Sequence, residues 1–351
     1  MDRLSGLSGV FMQRLMFVKK NTLQWMETED PKITGPNQAL VRPLAVSRCD
    51  LDLPILRGET LFRAPFPVGH EFVGEIREVS PELENVFPLG TRVAVPFQIS
   101  CGHCHNCETG QSKSCSTVPH TSAYGMGKGG KEYGGALADS VLVPYAKEML
   151  VPFSANTDPA AIASINDNLI EAWKLAGIFL QERKDQKILI LGGWAASIGL
   201  YTAALSKHMG AAEVVYVDTD KKRLDLADSF GVKAEKISGF PKNFGKFDIV
   251  ADASGSEEGW ECGLRSLGVD GIFGSCSIFW TNALPIPYLE LYNTGANLKI
   301  GRVKSREWIP EMLRLVEEEG FDPSRVTTRK AKWSEAAEAF LEEETKLVIV
   351  R

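Results

Sequence analysis

Cys101, Cys104, Cys107 and Cys115 stand in a C-x2-C-x2-C-x7-C run. Thiolates this close together can close a tetrahedron around zinc without ligands from the rest of the chain. Four protein ligands leave no open coordination position, so a zinc held this way is structural. Four free thiols on an exposed loop would instead be open to oxidation. His103 and His105 lie between the cysteines and read as solvated loop residues, because the thiolates already complete the set. The chain has 7 cysteines. An odd number, with four crowded into residues 101–115, does not fit a secreted disulfide scaffold. Cys262 and Cys276 read as packing residues.

A second set is more dispersed. Cys49 and His70 come from separate segments, and His70 lies in VGHEFVG. One thiolate and one imidazole suit a catalytic zinc that takes a third protein ligand and leaves the fourth position to water or substrate. On spacing alone the pair reads more readily as two core residues.

The third candidate is KILILGGWAASIGLYTAALSKHMG, a strand, a Gly-rich turn and a helix. A dinucleotide pyrophosphate needs a tight turn, close backbone approach and the N–H groups of a helix N-terminus. The turn comprises Gly192, Gly193, Trp194, Ala196, Ser197, Ile198 and Gly199. It departs from the strict G-x-G-x-x-G pattern, with Trp194 and Ala196 in the first two glycine positions. Asp218 ends the next strand. A carboxylate there can accept from both adenine-ribose hydroxyls of NAD and would repel the 2′-phosphate of NADP.

These groups must be positioned by two kinds of structure. Up to about residue 145 the chain is rich in Val, Pro and Gly. Short runs such as ALVRPLAV, FVGEIREV, TRVAVPF and DSVLVPY predict a mainly β domain. The first dozen residues read as an extension before a strand near residues 16–18. GMGKGGKEYGG, from Gly125, reads as a mobile loop. Residues 159–182 read as helices, and then apolar runs alternate with helical ones. Strands are expected at KILIL, EVVYVD, FDIVADA, GIFGSC and LKIG. That alternation predicts an α/β fold with a parallel sheet covered on both faces. The tail carries helices near residues 309–319 and 334–343 and a last strand, LVIV.

Of 351 residues, 44% are hydrophobic, enough for a real core, which excludes disorder as the main state. A net charge of −6 supplies no footprint for nucleic acid or an anionic membrane. No apolar run is long enough to span a bilayer. The N-terminal stretch lacks a signal-peptide core and cleavage site, so a cytoplasmic protein is expected.

Together these residues resemble the zinc-dependent medium-chain alcohol dehydrogenases. The resemblance rests on GHEFVGEI at 69–76, the GTRVAVPF run, the four-cysteine lobe, the diverged nucleotide turn, DASG at 252–255 and the order of the two halves. It implies a GroES-like β-rich catalytic domain over residues 1–157 and 304–351, with a structural zinc lobe at about 98–118. It also implies a Rossmann NAD-binding domain over 158–303.

Two zinc ions per chain, NAD and a homo-oligomeric state are implied as well. Cys49 and His70 look like catalytic zinc ligands, and Asp167, in INDNLIEAW, falls where the family places a third. Glu71 looks like the carboxylate beside the metal, and Asp52 like the acid that orients the histidine. Arg223 looks like the basic residue near the adenosine, and Ser277 and Ile278 like part of the nicotinamide wall.

One departure bears on mechanism. The family usually reads C-x-[Ser/Thr]-Asp-x-His after the cysteine ligand, and here the sequence is CDLDLP. Leu51 and Pro54 replace a hydroxyl and a histidine that relay the alcohol proton, and neither can carry one. Glu71 is then the first candidate base. Asp50 is a weaker one, with its side chain expected to face away from the cleft. Leu51, Phe97, Trp173 and Trp280 are apolar candidates for the substrate pocket. The leading expectation is hydride transfer between an alcohol, or its aldehyde or ketone, and NAD. The alternatives are a polyol or amino-alcohol dehydrogenase, and a non-catalytic binding or structural module that retains the fold.

Overall fold

The computed structural model describes residues 11–351. Most of the N-terminal extension expected from the sequence therefore lies outside the described residues. The first half supplies strands β1 (Phe11–Lys19), β2 (Thr22–Glu29), β3 (Ala39–Ser47), β4 (Phe66–Pro67), β5 (Glu71–Val79), β6 (Arg92–Ala94), β7 (Val141–Val143) and β8 (Val151–Pro152). The second half supplies β9 (Lys187–Leu191), β10 (Glu213–Asp218), β11 (Lys233–Lys236), β12 (Phe247–Asp252), β13 (Leu267–Ser275) and β14 (Asn297–Lys299). The tail adds β15 (Arg329–Lys332) and β16 (Leu347–Val350).

Strands β9 to β14 form one sheet in the order β11-β10-β9-β12-β13-β14, and every pair in it is parallel. The strand order reverses beside β9, whose C-terminal end leads into the Gly-rich turn. In such doubly wound sheets a ligand binds outside the strand ends at that switch point. Helices cover both faces, so central strands need apolar residues on both sides. Ile188, Leu189, Ile190 and Leu191 are all fully buried, each stabilising the fold by roughly 1.5–3 kcal/mol.

The β-rich half contains a three-stranded sheet, β2-β1-β4, and a seven-stranded sheet, β15-β16-β3-β5-β6-β8 with β7 also on β3. The chain's last strand returns to this sheet: β16 pairs antiparallel with β3, Val348 opposite Ser47. The α/β class expected from the sequence, a GroES-like β-rich part joined to a Rossmann parallel sheet, is the observed fold.

Three local expectations need correction. The segment from Gly125 is not an irregular loop, because Gly127–Tyr133 is a helix. Its glycines permit close contact. A Cβ at Gly125 would stand 2.3 Å from the Gly69 carbonyl oxygen, and one at Gly129 would stand 2.6 Å from the Ala123 backbone nitrogen. The helix expected from residue 309 begins at Ser305 and carries Pro310 inside it. The helix expected at 334–343 is a 3-10 turn, Trp333–Glu335, followed by only Ala336–Ala339. Among the described residues no helix is long and apolar enough to cross a membrane.

Candidate metal and cofactor sites

The four-cysteine lobe is a short irregular loop with one helical turn, His105–Glu108. The sulfurs of Cys104 and Cys107 are 3.5 Å apart, those of Cys104 and Cys115 3.8 Å, and those of Cys101 and Cys107 4.0 Å. A regular tetrahedron with zinc–sulfur bonds of about 2.3 Å has edges of about 3.8 Å, so the donor set fits zinc. All four cysteines are free of disulfides. The Thr117 hydroxyl donates to Cys101 Sγ at 3.1 Å and the Ser116 N–H to Cys104 Sγ at 3.5 Å. Contacts from Ser116 pull the Cys104 thiol down to about 5. The lobe docks on the Ser305–Glu317 helix, where both Glu307 oxygens accept from Ser112.

The dispersed set converges. β3 delivers Cys49 just beyond its end, β5 begins immediately after His70, and Asp167 stands directly before the Asn168–Ala172 helix. One ligand atom from each of Cys49, His70 and Asp167 lies within 4.8 Å of the others, and all three residues are buried. His70 Nε2 stands 3.2 Å from Asp167 Oδ2. Asp52 Oδ2 accepts from the Cys49 N–H at 2.9 Å, while its Oδ1 faces His70 Nδ1 at 3.5 Å.

The electrostatics favour a cation here. Burial, then the carboxylates of Asp167, Glu71 and Asp52, push the Cys49 thiol up. Burial alone would lower His70, but Asp52 and Asp167 outweigh it and raise the imidazole to about 9. In both, the neighbouring carboxylates raise the group, which marks an imbalance of buried negative charge around the three donors. A divalent cation among the three donors reverses that imbalance.

Glu71 sits beside this set with both oxygens engaged. Oε2 pairs with Lys346 Nζ at 2.7 Å, with both side chains fully buried. Oε1 accepts from the Asn168 backbone N–H at 2.7 Å. The Asn168 side-chain amide is satisfied when its nitrogen faces Glu71 Oε1 at 2.9 Å. Its oxygen then accepts from Ser197 Oγ at 2.7 Å and Lys346 Nζ at 3.0 Å. Burial pushes the Glu71 carboxyl up and Lys346 opposes that shift, while its bonds to Lys346 and Asn168 support a positioning part.

In the Gly-rich turn a Cβ at Gly192 would stand 2.5 Å from Asp218 Oδ2, and one at Gly193 2.5 Å from the Ser254 carbonyl oxygen. The N–H groups of Trp194 and Ala195 donate to the carbonyls of Ser254 and Ala253, tying the turn to the DASG segment. Ser197, Ile198 and Gly199 lie in the Ala196–His208 helix. Asp218 is fully buried and accepts from Tyr216 OH at 2.6 Å and the Asp220 N–H at 2.9 Å. It also accepts from Arg223, at 2.8 Å from Nε and 2.7 Å from the terminal nitrogen. The Asp218 carboxylate is therefore paired with Arg223 and not bare. Ser277 Oγ accepts from the Gly255 N–H at 3.0 Å, beside the turn, and Ile278 is exposed.

Residues 35–154 match the family described as "Alcohol dehydrogenase GroES-like domain". The chain is 30% identical over 269 residues to L-threonine 3-dehydrogenase of Pseudoalteromonas atlantica, covering 75% of this chain and 72% of that one. It is 32% identical over 254 residues to the L-threonine 3-dehydrogenase of Photobacterium profundum, covering 71% and 68%. The chain belongs to the zinc-dependent medium-chain alcohol dehydrogenases. An alcohol dehydrogenase from a Thermus species superposes with a TM-score of 0.84 at 23% identity, covering 96% of this chain and 99% of that one. That likeness concerns the fold.

Family membership makes the chain an enzyme, which removes the reading as a non-catalytic module. Sequence reasoning did not find Lys346 or Asn168. Lys346 is separated from Glu71 by 275 positions, and its one local signal is a lysine directly before an apolar strand. Among the pocket candidates, Phe97 packs against His70 with ring centroids 5.6 Å apart. Leu51 donates its N–H to Cys49 Sγ at 3.4 Å. Trp173 is buried in the Trp173–Gly177 π-helical turn, whereas Trp280 is exposed.

Proposed function

We propose that the chain transfers hydride between an alcohol and NAD at a site where Cys49, His70 and Asp167 hold one zinc, with Cys101, Cys104, Cys107 and Cys115 holding a second. The single observation that carries this reading is the convergence of the three buried ligand atoms within 4.8 Å. When bound, zinc supplies Lewis-acid polarisation of the substrate oxygen. Cys49 and Asp167 contribute the negative charge that holds the cation, and Asp52 faces the far nitrogen of His70 and orients the ring. Glu71 fixes Lys346 and the start of the Asn168–Ala172 helix, and so fixes Asp167. Residues 158–303 form the cofactor-binding domain, and residues 1–157 with 304–351 form the catalytic one.

An amino alcohol is the favoured substrate class, supported by relatives that are L-threonine 3-dehydrogenases. A screen of NAD reduction by the zinc-loaded protein over L-threonine, other amino alcohols, polyols and apolar alcohols tests both levels. No turnover of any alcohol would sink the dehydrogenase reading. A kcat/KM highest for apolar alcohols would sink the substrate class alone.

The cofactor reading gives a second expected outcome. Asp218 should favour the ribose diol over a 2′-phosphate, so kcat/KM should be higher with NAD than with NADP. Asp218→Asn should narrow the ratio, because Arg223 would then face the 2′ position without its counter-charge. Equal values in the unaltered protein would show that the Asp218–Arg223 pair does not discriminate.

The protein is assigned to the cytoplasm and to a homo-oligomer. Tyr288, Leu289, Tyr292 and Ile300 are exposed residues with large apolar parts next to β14, and β14 is one of the two edges of its sheet. Paired edges and covered apolar surface are what closed symmetric assembly provides. Light scattering should return a multiple of 38.5 kDa, and a value equal to one chain at working concentration would refute the assembly.

A further inference from the structure

The Ala196–His208 helix begins without a cap of its own. Its N-cap residue is Ala195, which offers no side-chain acceptor. The first N–H groups of a helix have no intrahelical partner and need one from elsewhere. Here the partner comes from the other half of the molecule. The Ser197 N–H donates to Asp50 at 3.2 Å from Oδ1 and 3.1 Å from Oδ2, and the Ile198 N–H donates to Oδ2 at 3.1 Å. Asp50 follows Cys49 in the turn that leaves β3, so its carboxylate bridges the metal-ligand segment and the nucleotide turn. Its side chain was expected to face away from the cleft, and it faces the turn instead.

We propose that Asp50 is an internal anion seated where the cofactor pyrophosphate must bind, and that it sets cofactor affinity by competition. The inference rests on the reading of residues 192–199 as the nucleotide turn. That turn has the required backbone, since Gly192 and Gly193 sit where any Cβ would collide, and a helix N-terminus holds an anion through these same N–H groups. Two anions cannot share them. A pyrophosphate must displace the carboxylate and then sit near it, because Asp50 is tethered to Cys49. The nearby ammonium, Lys346, is shared with Glu71 at 2.7 Å, so it offsets the charge of Asp50 only in part. Asp50 therefore holds the two halves together in the cofactor-free protein, and cofactor entry exchanges that link for a pyrophosphate.

Binding measurements on the zinc-loaded full chain test this without turnover. NADH, ADP-ribose and adenosine are titrated calorimetrically into the unaltered protein, Asp50→Asn and Asp50→Gly. Asparagine keeps the shape and an acceptor but removes the charge, and glycine removes both. Both variants should bind NADH and ADP-ribose about tenfold more tightly, the order expected for one charge at a helix N-terminus. Adenosine, which has no phosphate, should be unchanged. Melting curves of the two variants establish that they are folded, and asparagine carries the test if glycine loosens the turn. Equal or weaker ADP-ribose binding by folded Asp50→Asn would overturn the competition while leaving the nucleotide turn in place. If no form of the protein bound NADH or ADP-ribose, the assignment of the turn itself would fall, and the inference with it.

Discussion

Cys49→Ala should remove one of two zinc equivalents and lower kcat/KM for alcohol oxidation by about 10³-fold or more. The size follows from the several kcal/mol that a Lewis-acidic metal contributes to a developing alkoxide, at about 1.4 kcal/mol per tenfold. The loss should be specific to the dispersed set. Alanine leaves His70 and Asp167 3.2 Å apart but takes away the thiolate, and two ligands hold zinc far more weakly than three. Asp167→Asn should act in the same direction, because it keeps the shape and removes a charge. Cys104→Ala provides the contrast: it should also remove one zinc equivalent, but its first effect should be a lower melting temperature, since the lobe only docks on the Ser305–Glu317 helix. Elemental analysis with kinetics on the same preparations separates the two sites. Retention of two equivalents by Cys49→Ala would remove Cys49 from the metal site.

The two sites differ in how far the sequence alone reveals them, for a physical reason. The lobe closes within 15 residues, so its four ligands are neighbours in the chain as well as in space. Its spacing states the chemistry directly. Cys49, His70 and Asp167 are brought together only by the pairing of β3 with β5 and by the packing of the Asn168–Ala172 helix. Spacing carried little there, and the resemblance carried the assignment.

The parallel sheet was legible because fully buried strands are written as short apolar runs such as KILIL. The edge strand β11, KAEK, has no such signature and was not foreseen. Glycine-rich sequence was read as a mobile loop at residues 125–135, where Gly125 in fact lies against the backbone of Gly69 and Gly129 lets the Gly127–Tyr133 helix lie against that of Ala123. The charges that secure the catalytic region were the least legible. Asp50, Glu71, Asn168 and Lys346 form one contiguous network, yet each looks like an ordinary polar residue in its own segment.

That network makes the second large prediction: Lys346→Met should destabilise the fold by about 3–5 kcal/mol. Lys346 and Glu71 are both fully buried, 2.7 Å apart. Removing one member of such a pair leaves an uncompensated buried charge, which costs far more than the pair itself contributes. Methionine has nearly the same shape, so the cost measures charge and not a cavity. The effect should be larger than at a surface pair such as Lys221–Asp225, which is exposed on both sides and worth at most about 1 kcal/mol.

Lys346 also donates to the Arg48 carbonyl at 3.0 Å, so the variant should loosen the junction between β16 and the segment carrying Cys49. Zinc affinity at the dispersed set should fall along with stability. Glu71→Gln in the same chain removes the orphaned charge, keeps an acceptor for the Asn168 N–H, and should recover most of the loss. Denaturant midpoints of the two single variants and the double variant form the cycle that measures the coupling. If the double variant were no more stable than Lys346→Met alone, the buried charge on Glu71 would not be the source of the cost, and the positioning part given to this pair would have to be withdrawn.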